Sequence, residues 1–114
     1  MTDNLAPSEP RASADGFASF SDFYPYYLAE HSNFSCRLLH FIGTFLVIDL
    51  LLLAAVIQQW WPLALMPLFG YGFAWVGHFF FEHNKPATFK HPLYSLIGDY
   101  RLFFEMLSGK HWQR

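Results

Sequence analysis

The chain has 114 residues, of which 54% are hydrophobic, 21% aromatic and only 14% charged, against roughly 25% charged in an average soluble domain. A chain this short buries a limited share of its surface in its own core, so lipid or a partner must cover the rest. A net charge of −2 gives no basis for nucleic-acid binding, and the lone Cys36 excludes an intrachain disulfide framework.

Residues 1–16, with Pro7 and Pro10 among scattered Ser, Asp and Ala, have no periodicity and read as a disordered polar tail. The tail lacks the basic start and apolar core of a secretory signal. Next, Phe20, Tyr24, Tyr27, Leu28 and His31 recur at three- and four-residue steps, which predicts a flanking helix with Pro25 in its first turn.

Two apolar runs follow, LLHFIGTFLVIDLLLLAAVI over residues 38–57 and PLALMPLFGYGFAWVGHFFF over 62–81. Each is long enough to cross a hydrocarbon core roughly 30 Å thick. The connection QQWW is uncharged, short and rich in tryptophan, as suits a membrane interface. The expected fold is an all-α integral membrane protein, an antiparallel transmembrane helical hairpin flanked by N- and C-terminal amphipathic helices. A buried soluble hairpin is the rival. The C-terminal helix is expected over 93–107, where Leu93, Leu96, Ile97, Tyr100, Phe103, Phe104 and Leu107 form a stripe. Residues 17–110 then make a single membrane domain.

Orientation follows from the basic residues. Arg37 precedes the first run, and Lys85, Lys90, Arg101, Lys110 and Arg114 follow the second, whereas Gln58 to Trp61 has none. The positive-inside rule puts both termini of this multi-pass chain in the cytoplasm, at the inner membrane if the source is bacterial.

The histidines cluster at the same end. In a hairpin turning near Gln59 and Trp60, residues whose numbers sum to about 118 or 119 lie at similar depth, as His40 and His78 do. Gly70, Ala74, His78 and Glu82 follow at four-residue steps along one ridge, and small residues there allow close helix approach. On the first run His40, Gly43, Thr44 and Val47 define a comparable face. A continuous helix would turn His31 about 900° from His40, to the opposite side. His31 joins the site only through a kink or loop, and Ser32 and Asn33 are good N-cap residues for one. His83 points away from the ridge, His91 is a reserve ligand and His111 is a surface residue. Asp49, deep in the first run, is read as structural: protonated, bonded to Tyr71, or facing another subunit.

Imidazole with carboxylate suits iron, zinc, manganese or copper, and such sites with open positions are typical of non-haem Fe(II) oxygenases. Facing histidines also allow a bis-histidine haem electron carrier, and a metal-free structural hairpin or assembly module is the third reading.

The segments YYLAEHSNFSCRLLHFIGT and AWVGHFFFEHNKPATF resemble the Mpo-like 2-hydroxy fatty acid dioxygenases, over about residues 20–110. The resemblance implies a membrane enzyme using Fe(II) and O2 to shorten a long-chain 2-hydroxy fatty acid by one carbon. It implies His31, His40 and His78 as metal ligands and Glu82 as a catalytic residue, ligand or supporting. The expected acyl path runs along Phe41, Phe45, Trp75 and Phe79 or between subunits, with Lys85 or Arg37 steering the head group. This chain is shorter than fungal members and reads PAT at Pro86, Ala87 and Thr88 where PAL is common; its single clear hairpin favours a homo-oligomer.

Overall fold

A computed structural model describes residues 12, 13, 16–86 and 89–114. Most of the polar tail assigned to 1–16 therefore lies outside the described residues. The described part starts with a minimal antiparallel contact, β1 (Ala12–Ser13) against β2 (Gly16–Phe17). Everything else regular is helical: α1 (Phe20–Ala29), α2 (Phe34–Ile57), α3 (Trp61–Val76) and α4 (Pro92–Leu107). A π-helical segment, Gly77–Glu82, prolongs α3.

Local chemistry accounts for the boundaries. Ser19 caps α1, its hydroxyl accepting from the Asp22 amide at 3.2 Å. Pro25 falls inside α1 rather than in its first turn. After α1 the chain breaks at Ser32 and Asn33, where a bend was expected. Asn33 has extended backbone and caps α2, its Oδ1 accepting from the Ser35 amide at 2.8 Å. At the far end Gln58 adopts left-handed backbone (φ 55°) and closes α2, and Pro62 sits in the first turn of α3.

Contacts between α2 and α3 run in opposite order along the two helices. A side chain on Gly43 would meet Phe69 and Phe73, one on Gly70 would meet Val47, and a Cβ on Gly77 would lie 2.9 Å from Cys36 Sγ. The helices thus touch through missing side chains, and glycine at 77 is obligatory at this spacing. The 24-residue helix Phe34–Ile57 and the 22-residue helix Trp61–Glu82 are long and apolar enough, by length and composition, to cross a membrane. Much of their outer surface is bare: Leu51, Leu52, Val56, Trp60, Leu68 and Phe80 are all exposed, Val56 at 79%.

Helix α4 lies across α1 and α2 with a face the hydrophobic pattern does not mark. Its buried residues are Ser95, Gly98, Leu102, Phe103 and Met106, and Leu102 and Met106 join Phe23, Tyr24 and Tyr27 in the core. Of the expected apolar stripe, Leu93, Leu96, Ile97, Phe104 and Leu107 point outward. Gly98 makes this docking fit, because a Cβ there would lie 2.9 Å from the Tyr27 ring. The C-terminal segment then folds back. Trp112 packs on Phe41 and donates to the Met106 carbonyl at 2.8 Å.

Candidate metal centre

Three elements deliver the histidines to one point. His31 comes from the bend after α1, His40 from the second turn of α2, and His78 from the start of the π-helical segment. All three are buried, at 1%, 5% and 1% exposure. His31 Nε2 lies 3.0 Å from His40 Nε2 and 3.0 Å from His78 Nε2.

The outer ring nitrogens fix what those inner atoms are. His31 Nδ1 donates to the Tyr27 carbonyl at 2.6 Å, His40 Nδ1 to the Cys36 carbonyl at 2.9 Å, and His78 Nδ1 to the Asn84 side-chain oxygen at 2.7 Å. A ring that donates from Nδ1 in its neutral form has a bare lone pair at Nε2. Burial holds His31 well below the usual histidine range, helped by its neighbours His40 and His78, so it is neutral at pH 7. Three lone pairs converging at such distances repel one another unless a cation lies between them. Outer nitrogens held by oxygen acceptors are also what metal-ligating histidines show. The donor set fits a divalent metal: separations of 3.0 Å are those of ligands about 2.1 Å from a shared ion.

Cys36 belongs to the same neighbourhood. One ligand atom from each of His31, Cys36, His40 and His78 lies within 4.8 Å of the others, so the cluster could hold a metal ion. The thiol sits 3.7 Å from His40 Nδ1, the nitrogen on the outer side of that ring. Its position one helical turn before His40 is the sequence mark that places it there.

Glu82 sits elsewhere. Its carboxylate accepts from the Ser32 hydroxyl at 3.0 Å and from the Asn33 amide, which ties the end of the second apolar helix to the bend that presents His31. Glu82 ends the π-helical segment and is not one of the four residues whose ligand atoms cluster.

Other polar residues brace the bend. Arg37, buried at 7% exposure, donates to the carbonyls of His31 at 3.0 Å and Ser32 at 2.7 Å, to the His111 carbonyl at 3.0 Å, and to the Gln113 carbonyl. It is a clamp on the backbone. Asn84, brought back by left-handed backbone at His83 (φ 59°), joins His78 to the Glu30 carbonyl and carboxylate. His83 is exposed, and His91 stacks among Phe17, Phe23 and Tyr26 away from the cluster. His111 is not a free surface residue: its Nε2 meets Glu105 at 2.7 Å. Asp49 is exposed on α2.

A cavity of about 330 Å3 opens beside His40, lined by Thr44, Val47, Leu63, Met66, Pro67, Gly70, Tyr71, Leu96, Asp99 and Tyr100. Of the residues expected along an acyl path, Phe41 packs on Phe103 and Trp112, Phe45 and Phe79 are exposed, and Trp75 lines a smaller cavity with the three histidines. Asp99 lies off the apolar stripe expected for the C-terminal helix. It accepts from the Tyr27 hydroxyl at 2.5 Å, and Tyr27 stacks on His31 at 4.0 Å. Burial pushes the Asp99 carboxyl up to about 7 against the opposing pull of the Tyr27 hydrogen bond.

Residues 17–111 match the family model described as 2-hydroxy-palmitic acid dioxygenase Mpo1-like. That match covers most of the chain, and the chain belongs to this family. No curated protein and no solved structure matches it.

Proposed function

We propose, with that membership as the premise, that the chain is a membrane-embedded Fe(II)-dependent dioxygenase that shortens long-chain 2-hydroxy fatty acids by one carbon. The observation that carries the reading is the convergence of the three Nε2 atoms while every Nδ1 is committed to an oxygen. His31, His40 and His78 hold the ion. Glu82 acts by positioning, fixing the Ser32–Asn33 bend so that His31 points inward. Cys36 packs the outer side of His40.

Iron(II) at this point supplies redox chemistry toward O2 and a template for an oxygen-rich head group. The chain's own residues do the rest. The cavity beside His40 takes the apolar tail, and its walls of Val47, Leu63, Met66 and Leu96 exclude water from the reacting end. A haem between His40 and His78 finds no room, because both rings pack edge-on to His31 at 4.3 and 4.4 Å.

Both apolar helices cross the bilayer in this reading, and both termini lie on the cytoplasmic side. The basic residues Arg37, Lys85, Lys90 and Lys110 all stand at the histidine end, and the far turn has none. Asp49, exposed partway along a membrane helix, is costly against lipid and is covered by a second copy in a homo-oligomer. The test uses the full chain in detergent, loaded with Fe(II) and given 2-hydroxyhexadecanoic acid. O2 consumption should accompany an acid one carbon shorter. An iron-loaded protein that leaves O2 and the acid unchanged refutes the reading.

A further inference from the structure

Two cavities meet beside the histidines. The larger is the apolar one of about 330 Å3. The smaller, about 10 Å3, is lined by all three histidines and by Ser95. His40, Tyr71 and Asp99 line both, so they mark the junction.

Two groups at this junction have no task in holding an ion. Ser95 is 4% exposed, and its hydroxyl has no hydrogen-bond partner among the described residues. A serine in a helix ordinarily bonds a carbonyl one turn back or faces water, and a buried hydroxyl left unpaired is a standing cost. Asp99 stands one turn further along the same face of α4. One of its oxygens accepts from Tyr27, and the other accepts no hydrogen bond among the described residues. The helix therefore presents one unused donor, Ser95, on the small cavity lined by the three histidines, and one unused acceptor, Asp99, which lines that cavity and the apolar one.

A 2-hydroxy acid is the complement of that pair. It carries an acceptor carboxylate and a donor hydroxyl on adjacent carbons, followed by an apolar tail. We infer that Ser95 and Asp99 form the head-group subsite that distinguishes a 2-hydroxy acid from the unsubstituted acid. Asp99 accepts the hydrogen of the 2-hydroxyl, and Ser95 donates to the carboxylate. The inference rests on the dioxygenase reading and adds to it the residues that set specificity. An unsubstituted acid leaves the second Asp99 oxygen without that partner, and sites built to bond a hydroxyl reject analogues that lack it.

The test is equilibrium binding, by displacement of a fluorescent fatty acid from the iron-loaded full chain in detergent. It compares 2-hydroxyhexadecanoic acid with hexadecanoic acid. The wild-type chain should prefer the hydroxy acid at least about tenfold. Asp99→Leu should bring the two affinities to near equality, and Asp99→Asn, which keeps a neutral acceptor, should shrink the preference only part of the way. Ser95→Ala should weaken both acids by about tenfold and leave their ratio unchanged. This smaller change keeps the test decisive if Asp99→Leu does not fold. Wild-type selectivity in Asp99→Leu, or wild-type affinities in Ser95→Ala, overturns the subsite while leaving the dioxygenase reading in place. A wild-type chain that binds neither acid overturns both.

Discussion

The two ends of the α2–α3 hairpin are made from the same pair of helices under opposite rules. At the histidine end the buried residues include His31, Arg37, His40, Thr44 and His78, and side chains bond to carbonyls, amides and one another. At the turn end, Leu51, Leu52, Val56, Trp60 and Trp61 stand exposed, and the left-handed Gln58, Pro62 and a few local hydrogen bonds shape the connection. The hairpin is held by close approach at Gly43, Gly70 and Gly77 and by the polar net around the bend. The far end needs only to be apolar and helical. The polar contacts are concentrated at the histidine end.

The largest expected separation of the two ends comes from Arg37→Met. It strips the donor from the carbonyls of His31, Ser32, His111 and Gln113 and should cost about 3 kcal/mol. Leu52→Ala at the exposed end should stay within about 0.5 kcal/mol. Thermal or denaturant unfolding in one detergent measures both; equal losses would erase the distinction. Next, Gly77→Ala drives a methyl into Cys36 and should cost about 1–3 kcal/mol. Gly72→Ala, where a Cβ meets nothing within 4 Å, should be neutral or mildly stabilising. Asn84→Ala should leave the fold intact but weaken metal binding by about 10–100-fold, read by competition with a chelator. The smallest effect is in pH. Burial alone would raise Glu105, but bonds from Tyr24, His111 and Arg101 outweigh it and lower the carboxyl to about 2. Its stabilisation is therefore complete above the unfolded value near 4.5 and is lost as pH falls from there toward 2. Glu105→Gln should flatten that part of the stability–pH curve.

Some of the site was legible because helix geometry speaks directly. His40 and His78 share a depth, and the N-cap chemistry of Ser32 and Asn33 marks the break that lets His31 join them. Glu82 is different: no periodicity announces that its carboxylate is taken up by the Ser32 hydroxyl and the Asn33 amide of the bend. Asn84 reaches His78 only through the left-handed backbone at His83. Helix α4 teaches the same lesson in reverse. Most of its apolar stripe faces outward, Phe103 excepted, since periodicity cannot tell an outward-facing apolar side from a core-facing one. Ser95 and Asp99 lie off that stripe, on the side that Gly98 and Tyr27 dock toward the histidines.

We propose that the three converging imidazoles hold a metal ion. Elemental analysis of gently purified full-length protein, wild type beside His31→Ala, His40→Ala, His78→Ala and His83→Ala, tests it most directly. The expected result is about one iron per wild-type chain, kept by His83→Ala and lost from each of the other three, with helicity unchanged. Equal metal content in wild type and His78→Ala, or none in either after loading with Fe(II), would contradict it.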